Sequence, residues 1–386
     1  MVSRKINLLH VVLEMGIGGL QRLITDTTLA MDRDRFNVEV VCLDELGCFA
    51  EVLQANGVPV TLLRRHDHHL ALYPIRLARF MRQRKIDVVH MHPGSFIFGI
   101  LAAVLARVPV SVYTEHGRAV PEHPLRILED RVSGVFVDRI IAVSKELEVY
   151  LAEAIKLPPK KICTVINGIR VSEFVRRPKD PKLLSEFGIS PETKVLGTVA
   201  RLDPIKDQLT MVQALKVVRE RVPNVRLLLV GDGPARGDLE ALALADGLEN
   251  YVTITGQRSD VPGLVNLFDL FLLSSLREGT SISLLEAMSS GVAPIVTNVG
   301  GNPAIVSDGV DGLLVPPRDP QALASAIIEL LVNETKRKTF AEAAAAKVRE
   351  QFSIENMVRQ YVEIYCEHLA KKRRSRHLVQ SAAGRS

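Results

Sequence analysis

The sequence is poor in cysteine and lacks the pairings on which cysteine-dependent folds rely. Its four cysteines, Cys42, Cys48, Cys163 and Cys366, form no CxxC pair and stand at no Cys/His spacing that suits structural zinc. A zinc module is therefore not expected, and buried free thiols in a reducing compartment are. Long apolar runs are missing too. The longest, roughly Phe96 to Ala106, is closed by Arg107, whereas a bilayer span needs about 20 apolar residues. A buried helix is expected there. No signal-peptide pattern follows Met1-Val2-Ser3-Arg4-Lys5. The expected location is cytoplasmic, either soluble or peripheral at the inner face of the membrane.

Acids are absent from Lys371 to Ser386, a stretch that carries Lys371, Lys372, Arg373, Arg374, Arg376 and Arg385. With a formal net charge of +5 overall, these six cations leave the rest of the chain near −1. A nucleic-acid-binding fold carries its basic charge on the folded surface. Here the charge sits on the end segment, so no nucleic-acid partner is expected, and residues 371–386 read as a basic flexible tail.

What is present is globular. The 386 residues are 47% hydrophobic and 24% charged, enough for two domains with separate cores. Short β-rich runs alternate with amphipathic stretches. Strands are predicted at Asn7–Leu13, Val38–Leu43, Val58–Leu62, Val88–Met91, Val110–Thr114, Arg139–Val143 and Ile162–Ile166. They recur at Val195–Ala200, Val225–Val230, Val252–Thr255, Leu270–Leu273, Ala293–Thr297 and Gly312–Val315. This alternation predicts α/β architecture with parallel sheets covered on both faces. Between the two series, Val175 to Thr193 is polar and proline-rich, which marks a linker. The expected domains are 1–180 and 190–352, with a closing helix at 354–370.

Chemistry-bearing residues gather at predicted strand ends, where open α/β sheets bind ligands. After Leu270–Leu273 comes Glu278-Gly279-Thr280-Ser281-Ile282-Ser283-Leu284-Leu285-Glu286. Its first helical turn offers unpaired amides for a diphosphate. Glu278 and Glu286 suit sugar or ribose hydroxyls, although two glutamates at that spacing are also an ordinary surface pair. After Val195–Ala200 come Arg201 and Lys206, two cations able to neutralise a diphosphate leaving group, or simply solvated in a loop. The first strand runs into Gly16-Ile17-Gly18-Gly19-Leu20-Gln21-Arg22, a turn that lets phosphate approach the backbone but lacks the full dinucleotide-binding spacing. His116 follows the fifth strand and faces the expected cleft. His90 and His92 have no third ligand apparent in the sequence and are read as structural. Asp32-Arg33-Asp34 lies in a helix-to-strand loop and is not read as a metal motif. Leu70–Lys85 combines five cations with an apolar stripe. It reads either as an ordinary packed helix or, with the basic tail, as a contact for an anionic membrane.

In order, GGLQR, HMH, EHGR, AVS, INGI, RLDPIKD, LLLVGDGP, ITGQRSDV, EGTSISLLEAM, VGGNP and DGLLVPP resemble the family 4 glycosyltransferases of GT-B fold, over roughly residues 6 to 365. EHGR, KDQ, GDGPARG and GGNP look like exosortase- or exopolysaccharide-associated sugar transferases. The resemblance implies a GT-B fold: two Rossmann-like, doubly wound domains facing across a cleft, the first on the acceptor side, the second binding a nucleotide-sugar donor. It implies a retaining, metal-independent transferase with no cofactor, acting on a lipid-linked or saccharide acceptor. Arg201 and Lys206 would hold the diphosphate, Glu286 the ribose and Glu278 the transferred sugar. Thr280, Ser281 and Ile282 would add backbone contacts to the donor, and Arg258 would border the base. Gly18 and Gly19 would approach the phosphate, His116 the sugar, and Gln21 and Arg22 the acceptor. Two positions depart from the usual pattern: Arg170 and Ala304 stand where Asp and Glu are common. A nucleotide-sugar epimerase, a nicotinamide dehydrogenase and a non-catalytic nucleotide-sugar-binding protein are the rival readings. The epimerase would need acid/base groups around the sugar and no acceptor.

Overall fold

The computed structural model describes residues 4–65, 72–117 and 123–383. It divides into two compact units. Unit 1 is Met1–Asn167 with Ile354–Ser386, and unit 2 is Gly168–Ser353.

In unit 1 the order is β1 (Ile6–Glu14), α1 (Gly19–Ala30), β2 (Phe36–Glu45), α2 (Cys48–Ala55), β3 (Val60–Leu62), α3 (Tyr73–Gln83), β4 (Val88–Met91), α4 (Phe96–Ala106), β5 (Val110–Glu115), α5 (Pro124–Phe136), β6 (Arg139–Ala142), α6 (Lys145–Glu153) and β7 (Ile162–Thr164). The strands pair in parallel in the order β3-β2-β1-β4-β5-β6-β7. The chain therefore winds away from β1 one way and from β4 the other. Right-handed crossovers put α1 and α2 on one face and α3 to α6 on the opposite face. With both faces covered, the strands are apolar throughout: Val88, Val89 and Met91 are fully buried, as parallel sheets require.

Unit 2 repeats the plan with α7 (Pro181–Glu186), β8 (Lys194–Val199), α8 (Gln208–Arg221), β9 (Val225–Val230), α9 (Arg236–Ala245), β10 (Val252–Ile254), α10 (Val261–Val265), β11 (Leu270–Leu273), α11 (Ile282–Ser289), β12 (Ala293–Thr297), α12 (Asn302–Ile305), β13 (Leu313–Val315), α13 (Pro320–Val332) and α14 (Glu334–Gln351). Its parallel strand order is β10-β9-β8-β11-β12-β13. Each sheet thus has one place where neighbouring strands send their chains in opposite directions: β1/β4 in unit 1 and β8/β11 in unit 2. At such a switch point the loops leave the strand carboxyl ends on opposite sides and open a crevice for ligands.

Three expectations need adjustment. The boundary between the units falls at Asn167/Gly168, ahead of the proline-rich stretch that the sequence marks as a linker. That stretch is bonded into unit 2: the Asn266 side chain accepts from the Arg177 amide at 2.7 Å and donates to the Val175 carbonyl at 3.1 Å, and Lys179 pairs with Asp269 at 2.7 Å. Polar composition signalled a loop, and the loop is anchored. Second, the last helix, α15, runs Ile354–Ala383, through most of the segment expected to be a flexible tail. It packs against α1 and β5 of unit 1. Third, α3 buries only part of the apolar stripe of the basic Leu70–Lys85 segment: Leu77 and Met81 enter the core with Tyr73 and Ala78, while Leu72 and Ile75 stay exposed with Arg79 and Arg82. Leu70 and Ala71 lie outside the described residues.

Exposed apolar surface appears on α5 as well. Its inner side is made of small or polar residues, Asp130, Ser133 and Gly134, while Leu125, Leu128, Val132, Val135 and Phe136 face solvent at helical spacing. A side chain at Gly134 would collide with Leu157, its Cβ landing 2.7 Å from Cδ2. Close approach of the α5 backbone therefore requires small inner residues. On the neighbouring α4, Leu101, Val104 and Leu105 are exposed as well.

Candidate functional site

In unit 2 the loops after β8 and β11 are tied together at the switch point. Arg201 leaves the end of β8 with its guanidinium largely in solvent, 71% exposed, and, among the described residues, only a distant Asp203 carboxylate at 3.9 Å. Its backbone is fixed, because the buried Gln208 amide donates to the Arg201 carbonyl at 3.0 Å. Lys206 ends a single 3-10 turn, Pro204–Lys206, and the Ser274 hydroxyl bonds the Lys206 and Asp207 carbonyls at 2.9 and 2.7 Å. This holds the ammonium against Glu278, Nζ to Oε1 at 2.5 Å, while Ser275 donates to the same oxygen at 2.9 Å.

Glu278 is held from behind by the glycine turn after β12. The Gly301 amide donates to the Glu278 carbonyl at 3.1 Å. Gly300 has φ +56°, and an added Cβ would lie 1.9 Å from that same carbonyl oxygen, so only glycine fits. The first turn of α11 follows. Ser281 caps it by accepting from the Leu284 amide at 3.3 Å. The helix geometry leaves the amides after Ser281 without intrahelical acceptors, at the end where the helix dipole favours an anion. Thr280, Ser281 and Ile282 are thus together beside Glu278. Glu286 lies one turn further into α11 and is buried.

Arg258 is differently employed. Its guanidinium bonds Asp260 at 2.7 and 2.8 Å and Glu186 at 2.7 Å, and lies over the Phe187 ring. The Asp260 hydrogen bonds, then those of Glu186, push its pKa up further. The side chain clamps α7 to the loop after β10, which leaves the backbone near Arg258 as what this segment can offer a ligand.

In unit 1 the glycine turn follows β1. Gly47, at φ +79°, packs behind it so closely that a Cβ would sit 2.6 Å from the Gly16 amide nitrogen. Gly18 has an extended backbone and Gly19 begins α1, with open space where its Cβ would be. Gln21 donates to Glu14 at 3.3 Å, and Arg22 pairs with Asp26 at 3.6 Å. Asp32 and Asp34 precede β2, at the amino ends of the strands and so at the opposite edge from this turn.

His116 follows β5. The buried Glu115 carboxylate fixes the exit, accepting from the His116 and Gly117 amides at 3.1 and 3.3 Å and from the Tyr113 hydroxyl at 2.7 Å. Desolvation lowers the His116 pKa to about 3, so the ring is neutral at physiological pH. Behind it lies what the sequence did not show: His90 and His92 are joined by a third histidine, His10, with nitrogens of the three within 4.8 Å of one another. The signal was present in strand alternation, since parallel pairing of β1 with β4 sets His10 opposite His90. Register between strands distant in sequence cannot be read from either strand alone.

Comparison with known proteins agrees with these two units. Residues 17–173 match the family model described as Glycosyltransferase Family 4, and residues 180–347 match Glycosyl transferases group 1. The N-acetyl-alpha-D-glucosaminyl L-malate synthase of Bacillus anthracis is 32% identical over 303 residues, covering 76% of this chain and 78% of the relative. The UDP-Gal:alpha-D-GlcNAc-diphosphoundecaprenol alpha-1,3-galactosyltransferase of Escherichia coli is 26% identical over 95% of this chain and 98% of its own length. Among solved structures, Anabaena HepE in complex with UDP-glucose superimposes with a TM-score of 0.81 at 25% identity, covering 94% of this chain and 99% of that one. The Bacillus anthracis and Escherichia coli relatives are named for synthesis and for galactosyl transfer, not for epimerisation or dehydrogenation.

Proposed function

The chain belongs to glycosyltransferase family 4, with the GT-B fold, and from that premise we propose that it transfers a sugar with retention from a nucleotide-sugar donor to a lipid-linked or saccharide acceptor in cell-surface polysaccharide or glycolipid synthesis. The observation that carries this reading is the meeting of Lys206, Glu278 and the α11 N-terminus at the switch point of unit 2. A cation, a carboxylate and a helix-terminal amide group there match the diphosphate and the sugar hydroxyls of one ligand.

In this reading Arg201, Lys206 and the α11 amides take the charge that develops on the departing diphosphate. Glu278 accepts hydrogen bonds from the transferred sugar and Glu286 from the ribose. Gly18 and Gly19 allow backbone approach to the phosphate, His116 contacts the sugar, and Gln21 and Arg22 serve the acceptor. Near Arg258 the backbone borders the base. A double displacement needs a carboxylate nucleophile, and Glu278 is tied to Lys206 and Ser275. Front-face substitution fits better. The bond from the anomeric carbon to the diphosphate oxygen breaks, the acceptor oxygen bonds to that carbon from the same face, and its proton passes to the departing diphosphate. No metal is assigned a role, because the two cations and the helix terminus already neutralise the leaving group.

The lipid-linked acceptor draws support from the Escherichia coli relative, whose name specifies a diphosphoundecaprenol-linked acceptor. Among the described residues no helix is long and apolar enough to cross a membrane. Peripheral contact with an anionic membrane would use the outer surface of α3, α4 and α5. There α3 packs on α4 and α4 on α5, and these helices and their ends carry exposed apolar residues, Leu125 at 62% and Phe136 at 52%, together with exposed Arg79, Arg82, Arg107 and Arg131. Apolar side chains flanked by cations suit insertion among anionic headgroups. The cytoplasmic face is the location proposed for that contact.

A thermal-shift screen of UDP, GDP and ADP sugars, followed by product analysis with a short-chain lipid diphosphate sugar, tests the proposal. A stabilising donor, transfer with retained configuration, and insensitivity to EDTA are expected. Hydrolysis or epimerisation of the donor without transfer to any acceptor would exclude it.

A further inference from the structure

His116 stands at the end of a line of imidazoles that crosses the interior of unit 1. His10 Nδ1 lies 3.1 Å from His92 Nε2, and His92 Nδ1 lies 3.3 Å from His116 Nε2. The ring centroids are 5.3 and 5.6 Å apart, with interplanar angles of 28° and 29°. In both links the centroids are farther apart than the bonded nitrogens by about the width of one ring. The rings therefore meet edge to edge in nearly a common plane, as a hydrogen bond along an in-plane nitrogen lone pair requires.

His90 stands beside this line without joining it. Tyr365 OH and Thr114 Oγ1 hold its two nitrogens, each at 2.6 Å, and its face stacks on His92 at 4.6 Å. That arrangement disfavours a metal among His10, His90 and His92. A metal ion needs in-plane lone pairs that are unengaged and converge on one point; both His90 nitrogens are engaged, and His10 and His92 point at each other.

We infer that His10 and His92 are positioning residues that fix His116 as the neutral tautomer with its proton on Nδ1. This rests on the reading of His116 as a contact to the transferred sugar. A neutral imidazole carries one proton, so the two links are coupled and have only two consistent arrangements. In one, His10 bears its proton on Nε2, a buried atom without a partner among the described residues. In the other, that atom is a bare imine nitrogen. Orphaned buried N–H groups are the rarer defect in folded proteins, which favours the second. His10 Nδ1–H then donates to His92 Nε2, His92 Nδ1–H donates to His116 Nε2, and His116 presents Nδ1–H as a donor. Free imidazole side chains prefer the opposite tautomer, so the chain imposes this one.

Burial keeps the line uncharged: desolvation lowers His10 to about 4 and His116 to about 3, and lowers His90 and His92 well below their ordinary value. A neutral, oriented donor bonds a sugar oxygen without repelling the positive charge that builds at the anomeric carbon as the glycosyl–phosphate bond breaks.

The test is nitrogen NMR of the full chain with 15N-labelled histidine, resonances being assigned by single substitutions, alongside steady-state kinetics. In the unsubstituted protein His116 is expected to show a protonated Nδ1 and a bare Nε2. His92→Phe keeps a ring and removes both links; it should return His116 toward the Nε2–H form and lower kcat about tenfold to a hundredfold, by analogy with the loss of a group that orients a metal-bound histidine, with donor KM unchanged. His92→Asn places an amide N–H near the former Nδ1 position and should recover most of kcat. An Nε2–H tautomer at His116 in the unsubstituted protein, a His116 spectrum unaltered by His92→Phe, or one zinc ion per purified chain would overturn the inference. Full transfer by His116→Ala alongside the expected spectra would overturn only the catalytic half, by removing the sugar contact on which it rests.

Discussion

Lys206 and Glu278 are 72 positions apart and meet with Nζ 2.5 Å from Oε1. Glu278 is only 8% exposed and Lys206 26%, so the pair is largely shielded, and each residue holds the other in place before any ligand arrives. Their effects on activity should therefore be coupled. Lys206→Ala is expected to lower kcat about a hundredfold to a thousandfold, the range for losing one fixed group that stabilises developing charge. Glu278→Gln should act mainly on donor recognition. The double variant should be less impaired than the product of the single effects, by about 1–3 kcal/mol. A strictly multiplicative result in a double-mutant cycle on kcat/KM would mean that the two act on separate events.

Two glycines separate structural demand from ligand demand. Gly300→Ala would press a Cβ to 1.9 Å from the Glu278 carbonyl at φ +56°, and unfolding in denaturant should show a loss of at least about 2 kcal/mol. Gly19→Ala meets nothing within 4 Å, so stability should be retained while transfer falls, if substrate phosphate approaches that backbone. A Gly19→Ala protein with full activity would remove Gly19 from the proposed site.

The fold was legible because periodicity is a local property. Leu270–Leu273 and Val225–Val230 are bounded in the structure as predicted, since a short apolar run between turn residues has little choice but a central strand. Residue types at strand ends were legible for the same reason. Partnerships were not. Nothing in Arg258 announces that Glu186 and Asp260 will claim it, and nothing in His10 announces His92. The pattern of Leu70–Lys85 is amphipathic, but it does not say which of its apolar residues reach the core: Leu77 and Met81 do, Leu72 and Ile75 do not. That depends on α4 packing against α3, a long-range fact.

The histidine group gives stability a definite pH window. A buried histidine with a lowered folded-state pKa binds fewer protons folded than unfolded, so stability falls as pH drops from the unfolded value of about 6.5 toward the folded one. For His10, lowered to about 4, the loss amounts to about 3 kcal/mol if the whole shift is expressed. Carboxylates held below their ordinary range, such as Asp260 beside Arg258, lose their contribution at lower pH, as it falls through the folded carboxylate range. Chemical denaturation is therefore expected to show a decline between pH 6.5 and 4.5 that His10→Asn makes shallower. A flat profile across that interval would contradict the burial of the group.

The outer surface of α4 and α5 makes a prediction about location. Val132→Glu combined with Phe136→Glu puts two anions on an exposed apolar stripe and should leave folding intact while reducing sedimentation with phosphatidylglycerol vesicles about tenfold or more. Transfer to a water-soluble acceptor should be unaffected. Equal vesicle binding by this variant and by the unsubstituted protein would rule out the surface.

Because α15 returns to unit 1, unit 2 is an insertion, entering at Gly168 and leaving at Ser353. Its two ends are clipped to each other: Ile169 pairs with Ser353, and the Ile169 amide donates to the Phe352 carbonyl at 2.9 Å. On the ribosome the inserted half has its entire sequence in hand first. The half that was translated earliest must wait, with Tyr361 and Tyr365 still missing from beside His90, until the final helix has been made.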